Sequence, residues 1–138
     1  MRVTVVGMGL FGRSMAVNLA RAGVEVIAID IAMQHLDDVR DEVTLAVCLD
    51  ATDEKELRAQ GIHSSDVLVA SIGDNFEATQ FLVVLAKEMG IPKIIARAPS
   101  FKHARILKLL GANEVVLPEV EMAERAARKL LEPPPKAE

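Results

Sequence analysis

The sequence predicts an α/β fold: a doubly wound sheet of six parallel strands in the order 3-2-1-4-5-6. Three observations carry this. Six short, β-branched apolar runs alternate with six segments of helical period along residues 2–131. Apart from an opening charge in four of them (Arg2, Glu25, Lys93, Glu114) and from Thr4 and Thr44, these runs are apolar, the pattern of strands covered by helices on both faces. The strict alternation also builds two βαβαβ halves, and such halves reverse the strand order between the first and fourth strands, leaving a ligand crevice there.

Each element has its own signals. The first strand run covers residues 2–6 (Arg2-Val3-Thr4-Val5-Val6). The helix after it places Phe11, Met15, Leu19 and Ala22 on one face and closes at Ala22-Gly23, a C-terminal cap signal. The second run is 25–29, followed by a helix from about Ala32 to Arg40. The third is 43–47, and its helix begins at Thr52 or Asp53, has Asp53, Glu54 and Glu56 in its first turn, and stops at Gly61. The fourth run, 67–70, leads to Asp74-Asn75-Phe76-Glu77, read as a capping box. That helix is expected to bury Ala78, Leu82, Leu85 and Met89, to end at Gly90, and to be stopped by Pro92. The fifth run is 93–96, with a helix from Ser100 to Leu110 closed by Gly111. The sixth is 114–117, and its helix starts with Pro118 at the favoured first position. Glu119 and Glu121 lead that helix and Arg125, Arg128 and Lys129 trail, matching the helix dipole. Its apolar residues Met122, Ala123, Ala126 and Leu130 form a face that needs a partner. Residues 1–131 read as one domain. Residues 132–138, polar with three consecutive prolines, read as a disordered tail or the stump of a linker.

Composition excludes several classes of function. A formal net charge of −4 supplies no electrostatic footprint for nucleic acid, and four Phe with no Tyr or Trp supply no stacking platform for bases. Cys48 has no second cysteine to pair with, which fits a reducing compartment. No apolar stretch approaches the ~20 residues that span a bilayer. The N-terminus enters a strand directly, unlike a secretory signal. The expectation is a soluble, cytoplasmic chain.

Gly7, Gly9 and Gly12 make G-x-G-x-x-G between the first strand and the first helix, where the pattern has physical content. Gly7 permits the tight turn, Gly9 lets a phosphate approach the backbone, and Gly12 lets helix and strand pack closely. The free N–H groups of the helix end attract an anion. Asp30 closes the second strand 23 residues after Gly7. A carboxylate there can accept both ribose hydroxyls and would repel a 2′-phosphate. Loop and acid together specify an adenosine-type nucleotide without choosing NAD over ATP or ADP. Asp50-Ala51-Thr52 and Ser71-Ile72-Gly73-Asp74-Asn75 end the third and fourth strands beside the same crevice. They are expected to shape the adenine and ribose pocket, or simply to cap helices through Thr52 and Asp74.

A catalytic apparatus is not evident. His35, His63 and His103 fall in separate regions and read as solvated surface residues, and Cys48 reads as buried structure. A dehydrogenase needs a further region to hold its substrate against the nicotinamide, and the sixth strand and helix use up the residues given.

Val5-Val6-Gly7-Met8-Gly9-Leu10-Phe11-Gly12, Ala28-Ile29-Asp30, Asp50-Ala51-Thr52-Asp53 and Ala70-Ser71-Ile72-Gly73-Asp74-Asn75 occur in that order. Ile95-Ala96-Arg97-Ala98, Leu110-Gly111-Ala112-Asn113-Glu114-Val115-Val116 and Pro118-Glu119 follow. The chain thereby resembles the Rossmann-type N-terminal lobe of regulator of K⁺ conductance domains (RCK, KTN or TrkA-N), most of all the soluble subunits of Ktr-type potassium transporters. The resemblance implies a cytosolic regulator, peripheral to the inner face of the membrane, rather than an enzyme. It implies ATP, ADP or NAD(H) as ligand, with a divalent cation beside the phosphates. It implies a homodimer that assembles into a tetramer or an octameric ring under a membrane K⁺ pore. Carried over residue by residue, Gly7, Gly9 and Gly12 would face the phosphates, Asp30 the ribose, and Asp50 and Thr52 would flank the adenine. Met8, Leu10, Phe11, Ile31, Ala51, Ile72, Gly73 and Asn75 would complete the nucleotide site. Arg97 and Glu119 would meet the terminal phosphate or its cation. Ktr-type relatives often carry arginine where this chain has Leu10, which leaves ADP and NAD open beside ATP. Two alternatives share the motifs: an NAD-dependent oxidoreductase or a fragment of one, and the regulatory domain of a cation–proton antiporter.

The pairing of loop and acid generates a direct expectation. Asp30→Ala and Gly9→Asp should each abolish nucleotide binding with the fold intact, and unchanged affinity in a calorimetric titration counts against the assignment.

Overall fold

The six apolar runs become six strands: β1 (Arg2–Val6), β2 (Glu25–Asp30), β3 (Leu45–Cys48), β4 (Val67–Ala70), β5 (Lys93–Arg97) and β6 (Glu114–Val116). The helices are α1 (Leu10–Arg21), α2 (Met33–Asp37), α3 (Glu54–Ala59), α4 (Phe76–Glu88), α5 (Phe101–Leu110) and α6 (Pro118–Leu131), with a 3-10 turn at Ile62–Ser64. The structure, a computed structural model, describes residues 1–136. All strand pairs are parallel and the order is β3-β2-β1-β4-β5-β6, as the sequence predicts. β1 sits at the centre, in register with β2 (Val5 opposite Ala28) and with β4 (Val5 opposite Val69).

Alternation along each strand divides the core. Val3, Val5, Val26, Ala28 and Val69 point to one face, under α1 and α2 with Ala16, Leu36 and Val39. Val6, Ile27, Ile29, Leu68, Ala70, Ile94 and Ala96 point to the other, under α3, α4 and α5 with Leu57, Leu82, Val83 and Leu107. Each fully buried aliphatic side chain stabilises the fold by roughly 1.5–3 kcal/mol, so the central strands dominate stability.

Several expectations need correction. Coverage on both faces holds for β1, β2 and β4 but not for the sheet margins. β3 is an edge strand with every residue at least partly exposed, and Cys48, expected inside, is exposed. Every residue of α6 is also at least partly exposed, so Ile95 and Val116 stay half-buried on the face that a packed last helix would cover. The second helix is shorter than 32–40, ending at Asp37 and giving way to turns in which the N–H groups of Val39 and Arg40 return to the Leu36 carbonyl. The caps of α3 and α4 are Asp53 and Asn75, one residue after Thr52 and Asp74: Asp53 accepts the Glu56 N–H and Asn75 the Ala78 N–H. α4 buries Thr79, Leu82, Val83, Leu85 and Ala86 and leaves Ala78 and Met89 half-buried. Residues 133–136 carry no helix or strand, and residues 137 and 138 of the expected tail lie outside the described residues.

The three loop glycines differ in what surrounds them. Gly7 has φ +95°, and a Cβ there would be driven into the Ser71 carbonyl. A Cβ on Gly12 would be driven into the Gly7 carbonyl oxygen and would crowd Ser71 Oγ at 2.8 Å, so close packing of α1 on β1 requires glycine there. Around Gly9 a Cβ would meet nothing within 4 Å. Gly12→Ala is therefore expected to destabilise by about 1–3 kcal/mol or more, the cost of overpacking, whereas Gly9→Ala should leave the denaturant midpoint nearly unchanged. Equal losses in the two variants, measured by urea unfolding, would contradict this packing account.

Candidate functional site

The glycine loop is pinned from both sides. The Gly7 N–H donates to the Ile29 carbonyl at 2.8 Å, tying it to β2. Ser71, buried at the end of β4, donates its N–H to the Val6 carbonyl (2.9 Å) and its hydroxyl to the carbonyls of Val6 (2.8 Å) and Gly7 (3.2 Å). Asp30 completes the clamp. Its Oδ2 accepts the buried Met8 N–H at 2.7 Å, and its Oδ1 accepts the Ala32 N–H at 2.8 Å and lies 3.2 Å from His35 Nδ1.

These contacts change the expectation for Asp30. Its side chain is only 10% exposed, and it organises the loop as well as facing the crevice. Replacing it with alanine strands the buried Met8 N–H, at about 1–3 kcal/mol for an unsatisfied donor. Asp30→Ala is therefore not silent in the fold, and Gly9 is the cleaner position at which to probe binding.

α1 begins at Gly9, which has no side chain to cap it, and its first turn contains no acid. By contrast α3, α4 and α5 are capped by Asp53, Asn75 and Ser100. The first N–H groups of a helix lack intrahelical acceptors, and here they border a site suited to an anion. The open space beside Gly9 is where such an anion would approach.

Where the strand order reverses between β1 and β4 there is a cleft of about 520 Å³, within the range of small-molecule sites. Gly7 and Gly9 line it, with Asp30 and Ile31 after β2, Asp50, Ala51 and Thr52 after β3, and Ile72, Gly73 and Asn75 after β4. Four predicted residues lie outside the cleft lining. Met8 is buried beneath the loop, and in α1 Phe11 packs towards the β1–β2 core, Gly12 serves the helix–strand contact, and Leu10 projects outward at 76% exposure.

The TrkA-N domain family matches residues 3–118. The chain belongs to the TrkA-N family. It is 35% identical over 126 residues to the Ktr system potassium uptake protein A of Bacillus subtilis, an alignment covering 91% of this chain and 57% of that protein. The chain thus spans somewhat more than half the length of the curated Ktr relative it matches. The TrkA-N domain of the Escherichia coli inner membrane protein YbaL superposes with a TM-score of 0.81 at 24% identity, covering 95% of this chain and 96% of that one. YbaL, a putative cation/proton antiporter, aligns at 27% identity over 134 residues, 97% of this chain and 24% of YbaL. The AMP-bound C-terminal domain of Kef from Shewanella denitrificans superposes with a TM-score of 0.80 at 25% identity, covering 96% of this chain and 83% of that one.

Other features of this TrkA-N domain bear on its cleft. Arg97, at the end of β5, lies over Gly73, where a Cβ would meet the guanidinium at 2.5 Å. Arg97 Nη2 pairs with Glu119 Oε1 at 3.3 Å, so β5 and the start of α6 meet at the rim of the cleft. Among the described residues no three His, Cys, Asp or Glu side chains cluster as metal ligands. Glu119 is engaged by Arg97. Arg13, in the first turn of α1, turns away to pair with Asp38 at 3.2 Å.

Sequence reasoning missed His35 as a cleft residue. It lines the cleft from α2, five residues after Asp30, and that spacing is the available signal. In sequence Ser71 stands only as part of a strand-end stretch, and its brace on the loop depends on β1 and β4 being neighbours. His63 is exposed as expected, whereas His103 is half-buried, 2.6 Å from the Ser100 hydroxyl and edge-on to Phe76.

Asp50 accepts the Thr52 hydroxyl at 2.7 Å and the Thr52 N–H at 2.9 Å, and these bonds, the hydroxyl first, hold its carboxyl below the ordinary aspartate range. A carboxyl lowered by folding adds stability above its unfolded value and loses it as pH falls through the folded one. The stability gap between wild type and Asp50→Asn should therefore be present near neutrality and close in acid, below the ordinary aspartate pKa of about 3.9. Urea midpoints across pH measure this gap, which is small because Asp50 is exposed.

Proposed function

We propose that this TrkA-N domain is the nucleotide-binding regulatory lobe of a potassium uptake system. In this reading it binds an adenine nucleotide, ATP, ADP or NAD(H), in the cleft between β1 and β4. The observation that carries the reading is a cleft walled by the β1–α1 loop and Asp30, in a chain 35% identical to a Ktr potassium uptake protein. The phosphates would lie against Gly7 and Gly9 at the start of α1, and the ribose against Asp30 and Ile31. The adenine would lie between Asp50–Thr52 and Ile72, Gly73 and Asn75. Arg97 would reach the far end of the nucleotide, and Glu119 would approach a phosphate-bound cation only after release from Arg97.

The proposed role is regulatory, not catalytic. The lobe would act from the cytosolic face as a homodimer, within a tetramer or octameric ring, against a membrane K⁺ pore subunit. Among the described residues no helix is long and apolar enough to cross a membrane, so contact with a pore would be peripheral. A nucleotide can bias such an assembly only by its difference in affinity for two states, and a coupling of about 1–3 kcal/mol is ordinary. The alignment with YbaL over nearly the whole chain supports a second reading, in which the same lobe regulates a cation–proton antiporter.

Calorimetric titration with AMP, ADP, ATP and NAD⁺ tests the ligand. At least one should bind, and Gly9→Asp should abolish binding while the urea midpoint stays near wild type. A folded protein that binds none of them would overturn the proposal. Nucleotide-dependent K⁺ flux through a reconstituted pore, lost in Gly9→Asp, separates the potassium reading from the antiporter one.

A further inference from the structure

We propose that His35 competes with the ribose of the nucleotide for Asp30, so that protonation of His35 weakens nucleotide binding. The proposal rests on the reading that Asp30 holds the ribose. An ionised carboxylate offers about four lone-pair sites, two on each oxygen. On Oδ1 both are taken, by the Ala32 N–H at 2.8 Å and by His35 Nδ1 at 3.2 Å. On Oδ2 the Met8 N–H takes one, leaving a single open site. A ribose diol that donates to both oxygens therefore displaces His35, because the two backbone donors are fixed by the chain.

The surroundings leave His35 free to act in this way. Its side chain is 54% exposed and lines the cleft, so it can swing aside without disturbing the core. The charged and titratable groups on the neighbouring elements are mostly committed elsewhere. On α2 and just after it, Asp37 pairs with Arg40 and Asp38 with Arg13 of α1. On β3 the Cys48 thiol donates to the Ile31 carbonyl, and beyond it Asp50 is held by Thr52. Arg21 of α1 pairs with Glu42, and Glu25, at the far end of β2, pairs with Arg2. Asp74, after β4, lines the same cleft, and Asp30 is the acid within hydrogen-bond distance of the imidazole.

Histidine changes charge between about pH 5 and 8. Protonated, His35 makes an ion pair with Asp30 that the ribose must break; neutral, it makes only a hydrogen bond. Nucleotide binding then releases a proton from His35, and affinity rises with pH.

NAD⁺ and adenosine are suitable probes, because neither carries a phosphate that titrates in this range. Titration of the wild-type chain with each, from about pH 5.5 to 8, should show affinity rising roughly three- to tenfold, as expected for an ion pair of this exposure. Heats measured in buffers of different ionisation enthalpy should show proton release at the acid end. His35→Ala and His35→Gln should have flat profiles and release no proton, and His35→Ala should bind more tightly than wild type at the acid end. Identical profiles in wild type and His35→Ala, or wild-type affinity that rises as pH falls, would overturn the proposal and leave the cleft assignment standing. Failure of both probes to bind at any pH would overturn this proposal; failure of AMP, ADP and ATP as well, or NAD⁺ binding undiminished in Gly9→Asp, would overturn the cleft assignment with it.

Discussion

The buried hydrogen bond from the Met8 N–H to the Asp30 carboxylate holds the site together. It fixes the crest of the glycine loop to the end of β2 at 2.7 Å, in a place where Met8 is shut off from water. A bond from backbone N–H to an ionised acceptor is among the stronger hydrogen bonds in a protein, and losing it strands a buried donor. With Ser71 bracing the same loop from β4, the turn between β1 and α1 is held by both neighbouring strands. The start of α1 is thereby placed before any ligand arrives, and preorganisation of this kind lowers the cost of binding.

The glycine spacing follows from that clamp. A loop held so tightly brings carbonyl oxygens to where side chains would otherwise stand, so Gly7 and Gly12 answer to Ser71 and to each other. Gly9 answers to empty space. Gly7 and Gly12 are required by the fold and Gly9 is not, while Gly7 and Gly9 both line the cleft.

Charge around the cleft is arranged economically. Asp30, Asp50 and Asp74 line it with His35, while Arg97, over Gly73, is paired with Glu119. Attraction for an anion falls mainly to the backbone N–H groups at the start of α1, which carry no counter-charge of their own. The Arg97–Glu119 pair also joins the rim to α6, the helix whose apolar side chains Met122 and Leu130 stand exposed. The cleft and the least packed element of the domain thus share an ion pair.

Much of this was legible in the residues alone. Periodicity, glycine stops and the prolines at 92 and 118 determined the elements, because each reports a local backbone preference that acts within one turn or one strand. The alternation of those elements determined the strand order, because parallel strands need crossovers and two halves must reverse direction. The residues that line the cleft follow from that order, since strand ends gather on one edge. Tertiary structure alone decided the rest. Whether Thr52 or Asp53 caps a helix depends on where the chain leaves β3. The exposure of Cys48 follows from β3 being an edge, and that of α6 from where the helix travels after Pro118. The double duty of Asp30 and the presence of His35 beside it depend on distances between groups that periodicity does not encode. Sequence specifies which backbone states are cheap; only packing specifies which side chains are left to meet.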